Sequence, residues 1–209
     1  MRVEPGSALF IQFARSPVAG EVKTRMIPAL GAGAACQLHS ELVRWTSRTL
    51  VNAGLGPVQL AVAGNTLHPL FQQCRDIGVA EVVPQSGTDL GERMFAALRN
   101  ALNRFERVVL VGSDCPGLDA AYLAQALDSL QQAPVVLGPA EDGGYVLIGA
   151  RQVSREMFAA IDWGSSLVYA QTLERLQDID CDWASLPAKF DIDRPEDIVH
   201  WQALRDSRV

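Results

Sequence analysis

Apolar positions along this chain follow two alternating rhythms. Short, largely apolar runs, interrupted only by Gln12, Gln59 and Glu81, fall at 9–13, 58–63, 80–83 and 108–112. Runs of that length and composition predict buried strands. Between them the period changes. Ala35, Leu38, Leu42, Trp45 and Thr49 recur at spacings of three and four, which predicts an amphipathic helix. Residues 67–77 predict a second helix, and Asp89-Leu90-Gly91-Glu92 opens a third with a capping-box pattern. Asp119 is placed to cap a fourth, from about Ala120. Further on, 135–137 and 145–148 are strand-like and flank the turn Glu141-Asp142-Gly143-Gly144. Helical stretches near 155–160 and 167–176, a short strand near Cys181 and a last helix from Pro195 complete the pattern. Strands alternating with helices predict a single α/β domain over 1–209, a three-layer α/β/α sandwich on a mostly parallel mixed sheet. Regularity weakens after Asp142, so the last third is expected to pack on the sheet edge and shape one side of any site.

The most informative chemistry lies where the central strand ends. Polarity flips within two residues, from Val111-Gly112 to Ser113-Asp114, and open α/β sheets bind ligands just beyond the carboxyl ends of their strands. Asp114 offers a hard oxygen to Mg²⁺ or Mn²⁺, cations that proteins hold with one or two carboxylates together with substrate phosphates. With Asp119 better placed as a helix cap, Asp114 is free for that role. The loop after the first strand carries Arg15, Gly20, Lys23, Thr24 and Arg25, cations, a hydroxyl and a flexible glycine able to converge on phosphate oxygens. Lys23-Thr24 is not a Walker A ending, because the preceding glycine is missing. Gly31-Ala32-Gly33-Ala34-Ala35-Cys36 is not a dinucleotide fingerprint, because no strand precedes it.

Two other segments join these. Asp142 can accept a hydroxyl proton or help bind the metal, Gly143 and Gly144 permit close backbone approach, and Tyr145 can stack on a sugar or base. A hairpin turn is the competing use of the same residues. Asp193-x-x-Glu196 predicts a capping box for the final helix, and either Asp193 or Asp191 can complete the metal site that Asp114 begins. His39, His68 and His200 are dispersed and read as surface or packing residues, and Cys115 as a small buried hydrophobe.

Composition narrows the function classes. Apolar residues make up 48% and charged residues 20%, as in ordinary globular proteins, and a formal charge of −6 argues against a broad nucleic-acid footprint. The four cysteines are scattered without a Cys-x-x-Cys pair, which fits reduced thiols. No stretch approaches the roughly 20 apolar residues of a membrane span. The start of the chain lacks a secretory pattern, so a cytoplasmic protein is expected.

Five ordered blocks, from Phe13 to Arg25, Gln85 to Met94, Gly112 to Pro116, Gly138 to Tyr145 and Asp191 to Asp197, resemble the DUF2064 group. Its members are regarded as GT-A-type glycosyltransferases and are similar in fold to nucleotidylyltransferases that activate sugar phosphates. The resemblance implies a nucleotide-diphospho-sugar transferase-like fold and a metal-dependent glycosyltransferase using a nucleotide-sugar donor and a small-molecule acceptor. The alternative it implies is a nucleotidylyltransferase that joins an NTP to a phosphorylated small molecule. It assigns Arg15, Gly20, Lys23, Thr24 and Arg25 to the phosphates, and Gln85 with the Gly87 to Arg93 segment to base and ribose. Asp114 and Asp193 then hold Mg²⁺ or Mn²⁺, while Asp142 to Tyr145 and Trp163 face the donor sugar or acceptor. Asp114, Lys23 and Asp142 are the implied catalytic residues. The chain departs from the group's usual pattern at Arg15, where lysine is common, and at Trp163-Gly164-Ser165-Ser166, where Ser-Thr usually follows the tryptophan-centred block.

Overall fold

A computed structural model describes residues 4–206. Seven strands form one sheet in the order β3-β2-β1-β4-β6-β5-β7: β1 (Glu4–Arg15), β2 (Val58–Ala63), β3 (Glu81–Pro84), β4 (Phe105–Val111), β5 (Val135–Pro139), β6 (Tyr145–Ala150) and β7 (Trp183–Ser185). All neighbouring pairs are parallel except those of β6, which runs antiparallel to both β4 and β5. The exception follows from connection length. The short turn after β5 can only return the chain alongside it, whereas a parallel neighbour needs a longer crossover.

The helices cover both faces, as the alternation predicts. α1 (Ile27–Ala53), α2 (Pro69–Ile77) and α4 (Ala120–Gln132) enclose a core of Phe10, Leu50, Phe71, Val109, Leu123 and Leu130. On the other face α3 (Leu90–Leu102) and α5 (Val168–Asp178) enclose Ile11, Leu98, Val108 and Leu137. Successive residues of β1 and β4 thus point to opposite cores, the signature of strands buried on both sides. A third cluster of Met26, Ala35, Leu38, Leu42, Ile192 and Trp201 ties the start of α1 to the segment before α6 (Ile198–Asp206). This cluster brings residues 191–193 across to the β1 loop.

Several boundaries differ from expectation for identifiable reasons. α1 begins at Ile27, but Gly31 breaks it with φ +79° and ψ 158°, so the regular apolar spacing starts only beyond that break. Asp89 caps α3 by accepting from Glu92 N at 2.8 Å, yet the Glu92 carboxylate reaches back to Thr88, one residue further than a capping box requires. Asp119 caps α4 by accepting from Tyr122 N at 2.8 Å. The capping box expected at Asp193 does not form. Asp197 does that work, accepting from the amides of Asp193 and Arg194 at 2.9 and 2.6 Å. The carboxylate of Asp193 is thereby free to face the loop after β1. Near Arg155 the predicted helix is a single 3-10 turn, Arg155–Phe158.

Candidate active site

Because β1 and β4 are parallel neighbours, the loops at their carboxyl ends lie side by side. A buried polar network fixes their spacing. Gln12, fully buried in β1, donates from Nε2 to Val43 O and to Ser113 Oγ, both at 2.9 Å. Its Oε1 accepts from Ser47 Oγ at 2.7 Å, while Ser113 Oγ donates to Phe13 O at 2.7 Å. Every member of this set is paired, which makes it a rigid clamp rather than a liability. It locks α1 to both strands directly behind Asp114.

The β1 loop is ordered from within. Val22 and Met26 are buried, which pins a turn whose intervening residues Thr24 and Arg25 stay exposed. Lys23 begins this turn in the left-handed region, φ +49° and ψ 43°, uncommon for a residue with a side chain. Its ammonium reaches Asp114 Oδ1 at 2.8 Å, stands 4.0 Å from Asp193 Oδ1, and donates to the carbonyl of Ile192. The Lys23 side chain is only 3% exposed. Arg25, mostly exposed, pairs with the second oxygen of Asp193. Asp114 Oδ1 is buried and, among the described residues, has no hydrogen-bond partner of ordinary geometry beside that ammonium. The two carboxylates therefore bracket one cation.

A cleft of about 580 Å³ opens over this cluster, lined by Arg15, Lys23, Thr24, Arg25, Gln85, Arg93, Asp114 and Asp193, with His39 also on its wall. Next to it lies a cavity of about 250 Å³ lined by Asp142, Gly144, Tyr145, Met94 and Trp163. Phe13, Arg25, Leu90 and Gly112 line both. A third, acidic recess of about 370 Å³ adjoins them through Arg25, Asp142 and Asp193, and adds Glu141, Asp191 and Asp197. Within this surround Asp191 is pushed up to about 6, first by burial and then by the charges of Asp142 and Asp193.

Most residues singled out in the sequence meet here, and three positions differ. Gly20 turns the exposed bend of the loop with φ +91° and does not line the cleft. Gly87 packs on the first turn of α3, where an added Cβ would lie 2.7 Å from Arg93 N, and its carbonyl accepts from Arg93 Nε at 3.1 Å. Gly87 thus supports Arg93 rather than facing the cleft. Gly143 lies against the Ser166 backbone, where a Cβ would stand 2.1 Å from the carbonyl oxygen, so it docks the hairpin turn onto the later loop. The Gln85 amide donates to Ala14 O and Ala61 O at 3.3 and 3.0 Å, tying strand ends together at the cleft wall.

The two aromatics line a cavity and also pack in the core. Tyr145 and Trp163 line the smaller cavity in an edge-on pair, 6.4 Å between centroids and 81° between planes. Both also pack on the α3/α5 core. Trp163 rests on Gly91, where a Cβ would come within 2.8 Å of the indole. Burial raises the Tyr145 phenol well above its ordinary range, so it stays neutral.

His39, expected to be a surface or packing residue, packs. It is buried at the cleft wall, its Nε2–H donates to Arg15 O at 3.0 Å, and burial lowers its pKa. The signal was its place four residues after Ala35 and three before Leu42, on the inward face of α1. Cys115 is 2% exposed and its thiol is pushed up to about 12 by burial, as befits a small hydrophobe.

Comparison with known proteins places this geometry. The family model for DUF2064, described as an uncharacterized protein conserved in bacteria, matches residues 46–165. That span holds Gln85, Arg93, Asp114, Asp142 and Trp163, while the β1 loop and residues 191–193 lie outside it. No curated protein matches the chain. Among solved structures, a protein of Desulfovibrio desulfuricans G20, provisionally named a nucleotide-diphospho-sugar transferase, is 30% identical with a TM-score of 0.80. The match covers 90% of this chain and 82% of that one. A nucleotidyl transferase from Methanothermobacter thermautotroptrophicus shares the fold at 12% identity and TM-score 0.65, covering 96% and 99% of the two chains. The 4-diphosphocytidyl-2C-methyl-D-erythritol synthase of Anaerococcus prevotii DSM 20548 does so at 14% identity and TM-score 0.62, covering 96% and 97%. With the model spanning more than half of its length and this overall shape, the chain belongs to the DUF2064 family and has a nucleotide-diphospho-sugar transferase-like fold.

Proposed function

We propose that this protein transfers a glycosyl group from a nucleotide-diphosphate sugar to a small acceptor, with Mg²⁺ or Mn²⁺ as cofactor. The observation that carries the reading is the pairing of two adjoining cavities of different chemistry. The larger has four cationic side chains and three carboxylates, Glu21, Asp114 and Asp193, a charge pattern suited to a metal-bound diphosphate. The smaller has an aromatic pair and the single carboxylate of Asp142, suited to a sugar and an acceptor hydroxyl. Arg25 and Gly112 lie on the wall of both, where the bond to be broken would sit.

Lys23, Arg25 and Arg15 would hold the diphosphate oxygens, because guanidinium and ammonium donors form strong charge-assisted bonds to phosphate. Asp114 and Asp193 are the residues that fit a divalent cation. Both lie within 4.0 Å of one ammonium already, and among the described residues that ammonium is the one partner of the buried Asp114 Oδ1. Among the described residues no group of three or more His, Cys, Asp or Glu is disposed to hold a metal, so the pair needs phosphate and water to complete a shell. When bound, the ion supplies neutralisation of charge on the leaving diphosphate. Asp142, whose Oδ1 accepts from Gly144 N at 2.9 Å, would orient the acceptor hydroxyl and take its proton. Tyr145 and Trp163 would exclude water from that side.

Product analysis tests the reading. The protein is incubated with a panel of nucleotide sugars or NTPs, Mn²⁺ and a pool of sugar phosphates and small hydroxyl compounds. Release of nucleoside diphosphate from a nucleotide sugar is the expected result. Pyrophosphate release from an NTP would instead assign nucleotidylyl transfer.

A further inference from the structure

We infer that Lys23 is the resident cation of the Asp114–Asp193 pair, that it competes with a divalent ion for those carboxylates, and that a diphosphate admits the ion by drawing Lys23 away. The inference rests on the proposed assignment of this cleft to a diphosphate and deepens it.

The lysine is held where it is by more than attraction. Its backbone occupies a left-handed conformation that is strained for a non-glycine residue, and such strain persists only where the surroundings determine it. Here the buried Val22 and Met26 fix the turn, and Met26 N donates to Lys23 O at 2.9 Å. The side chain is therefore aimed at the carboxylates before any ligand arrives. An ammonium has three donors. One goes to Ile192 O, another faces Asp114 Oδ1 at 2.8 Å, and Asp193 Oδ1 stands 4.0 Å away.

The environment leaves room for one cation only. Asp114 Oδ1 is buried and the Lys23 side chain is 3% exposed, while the rest of the Asp114 side chain reaches solvent at 46% exposure, so water screens this contact only in part. A dication at the same oxygens would meet the ammonium at a few ångströms, with only part of their repulsion screened by water. The repulsion would offset much of what the carboxylates offer. A diphosphate in the cleft changes the balance, because Lys23 lines that cleft beside Arg25 and Arg15. The ammonium then exchanges one anionic partner for another, and the carboxylates turn to the metal. Arg25 cannot serve in the same way, since its side chain is 57% exposed and bonds only the outer oxygen of Asp193. Lys23 is thus a positioning residue that couples metal entry to diphosphate entry.

The test uses Mn²⁺ alone on the intact protein, with free ion measured by electron paramagnetic resonance. Removing the ammonium leaves the buried Oδ1 of Asp114 without its cation and removes the like charge that faces an incoming ion, so Lys23→Met should bind Mn²⁺ about tenfold or more tightly than the wild type. The gain should vanish in K23M/D114N. Unchanged or weaker binding by K23M, or a gain that survives D114N, overturns the inference. A second measurement needs no variant. Lys23 in the wild type should be acetylated slowly by N-hydroxysuccinimide acetate, and faster at Mn²⁺ concentrations that resonance shows to be bound. Mn²⁺ bound with Lys23 still protected contradicts displacement. Neither readout involves a nucleotide sugar, so failure of the transfer reaction and failure of this coupling are told apart.

Discussion

The two walls of the cleft are built by opposite means. The cationic wall is one short segment, residues 15–26, whose order comes from its own buried Val22 and Met26 and from the Gln12 network beneath it. The acidic wall is assembled from three distant stretches. Lys189 N donates to Pro139 O at 2.9 Å, Glu141 N to Lys189 O at 3.1 Å, Ile192 N to Asp114 O at 2.8 Å, and Tyr169 N to Gly143 O at 2.8 Å. A local wall can keep one charged side chain buried and strained, as Lys23 is. An assembled wall gathers like charges from several stretches, and Asp191, pushed up to about 6 first by burial and then by the charges of Asp142 and Asp193, lies among them. The cationic wall is pre-shaped to meet an anion. The acidic one stores repulsion that a bound cation would relieve.

The sharpest way to break this comparison is Asp114→Asn, which keeps shape and removes the charge where the walls meet. We expect turnover to fall on the order of 10²-fold or more, with far-ultraviolet circular dichroism unchanged. Turnover within a few-fold of the wild type would remove Asp114 from the chemistry.

Next come the cations. Lys23→Ala and Arg25→Ala should each weaken nucleoside diphosphate binding about 10- to 100-fold in calorimetry, the loss of a charge-assisted bond of about 1.5–3 kcal/mol. Equal loss on neutralising Asp142 instead would place the diphosphate on the acidic side.

The support beneath the cationic wall is measured by Gln12→Ala. It removes the Gln12 acceptor of Ser47 Oγ and the Gln12 donor to Ser113 Oγ in the core, at on the order of 1–3 kcal/mol for a group left unsatisfied. Urea denaturation should show that loss, and a silent variant would mean the network does not hold the loops.

The smallest effect sharpens the acidic side. Because the folded state raises Asp191 from 3.8 to about 6, it binds that proton more tightly than the unfolded chain. Stability from this group is therefore lost as pH rises through that window. Asp191→Asn should be more stable than the wild type at pH values above 6, and the advantage should shrink to nothing below 3.8. A variant less stable at neutral pH would show that Asp191 is paired rather than crowded.

The same contrast explains what could be read from the sequence. Strand β2 falls on its apolar run, and the β1 loop was legible because its cations, hydroxyl and glycine are contiguous. Asp114 stood out because polarity changes abruptly at a strand end. The acidic wall was harder. The carboxylate pattern at 193–197 suggested Asp193 as a cap, yet Asp197 takes that role through amides whose direction depends on the chain path after Ile192. The roles of Gly91 and Gly143 lie in contacts with Trp163 and Ser166, and no local pattern announces a contact across such distances. Lys23 between the carboxylates belongs to the same class, since it depends on the Met26–Ile192–Trp201 cluster.

A crystal structure with a nucleoside diphosphate and Mn²⁺ tests the central claim most directly. The account predicts diphosphate oxygens against Lys23 and Arg25, the ion on Asp114 and Asp193, and the Lys23 ammonium withdrawn from Asp114. A diphosphate seated in the Tyr145–Trp163 cavity, or an ion bound with the Lys23–Asp114 pair intact, would contradict it.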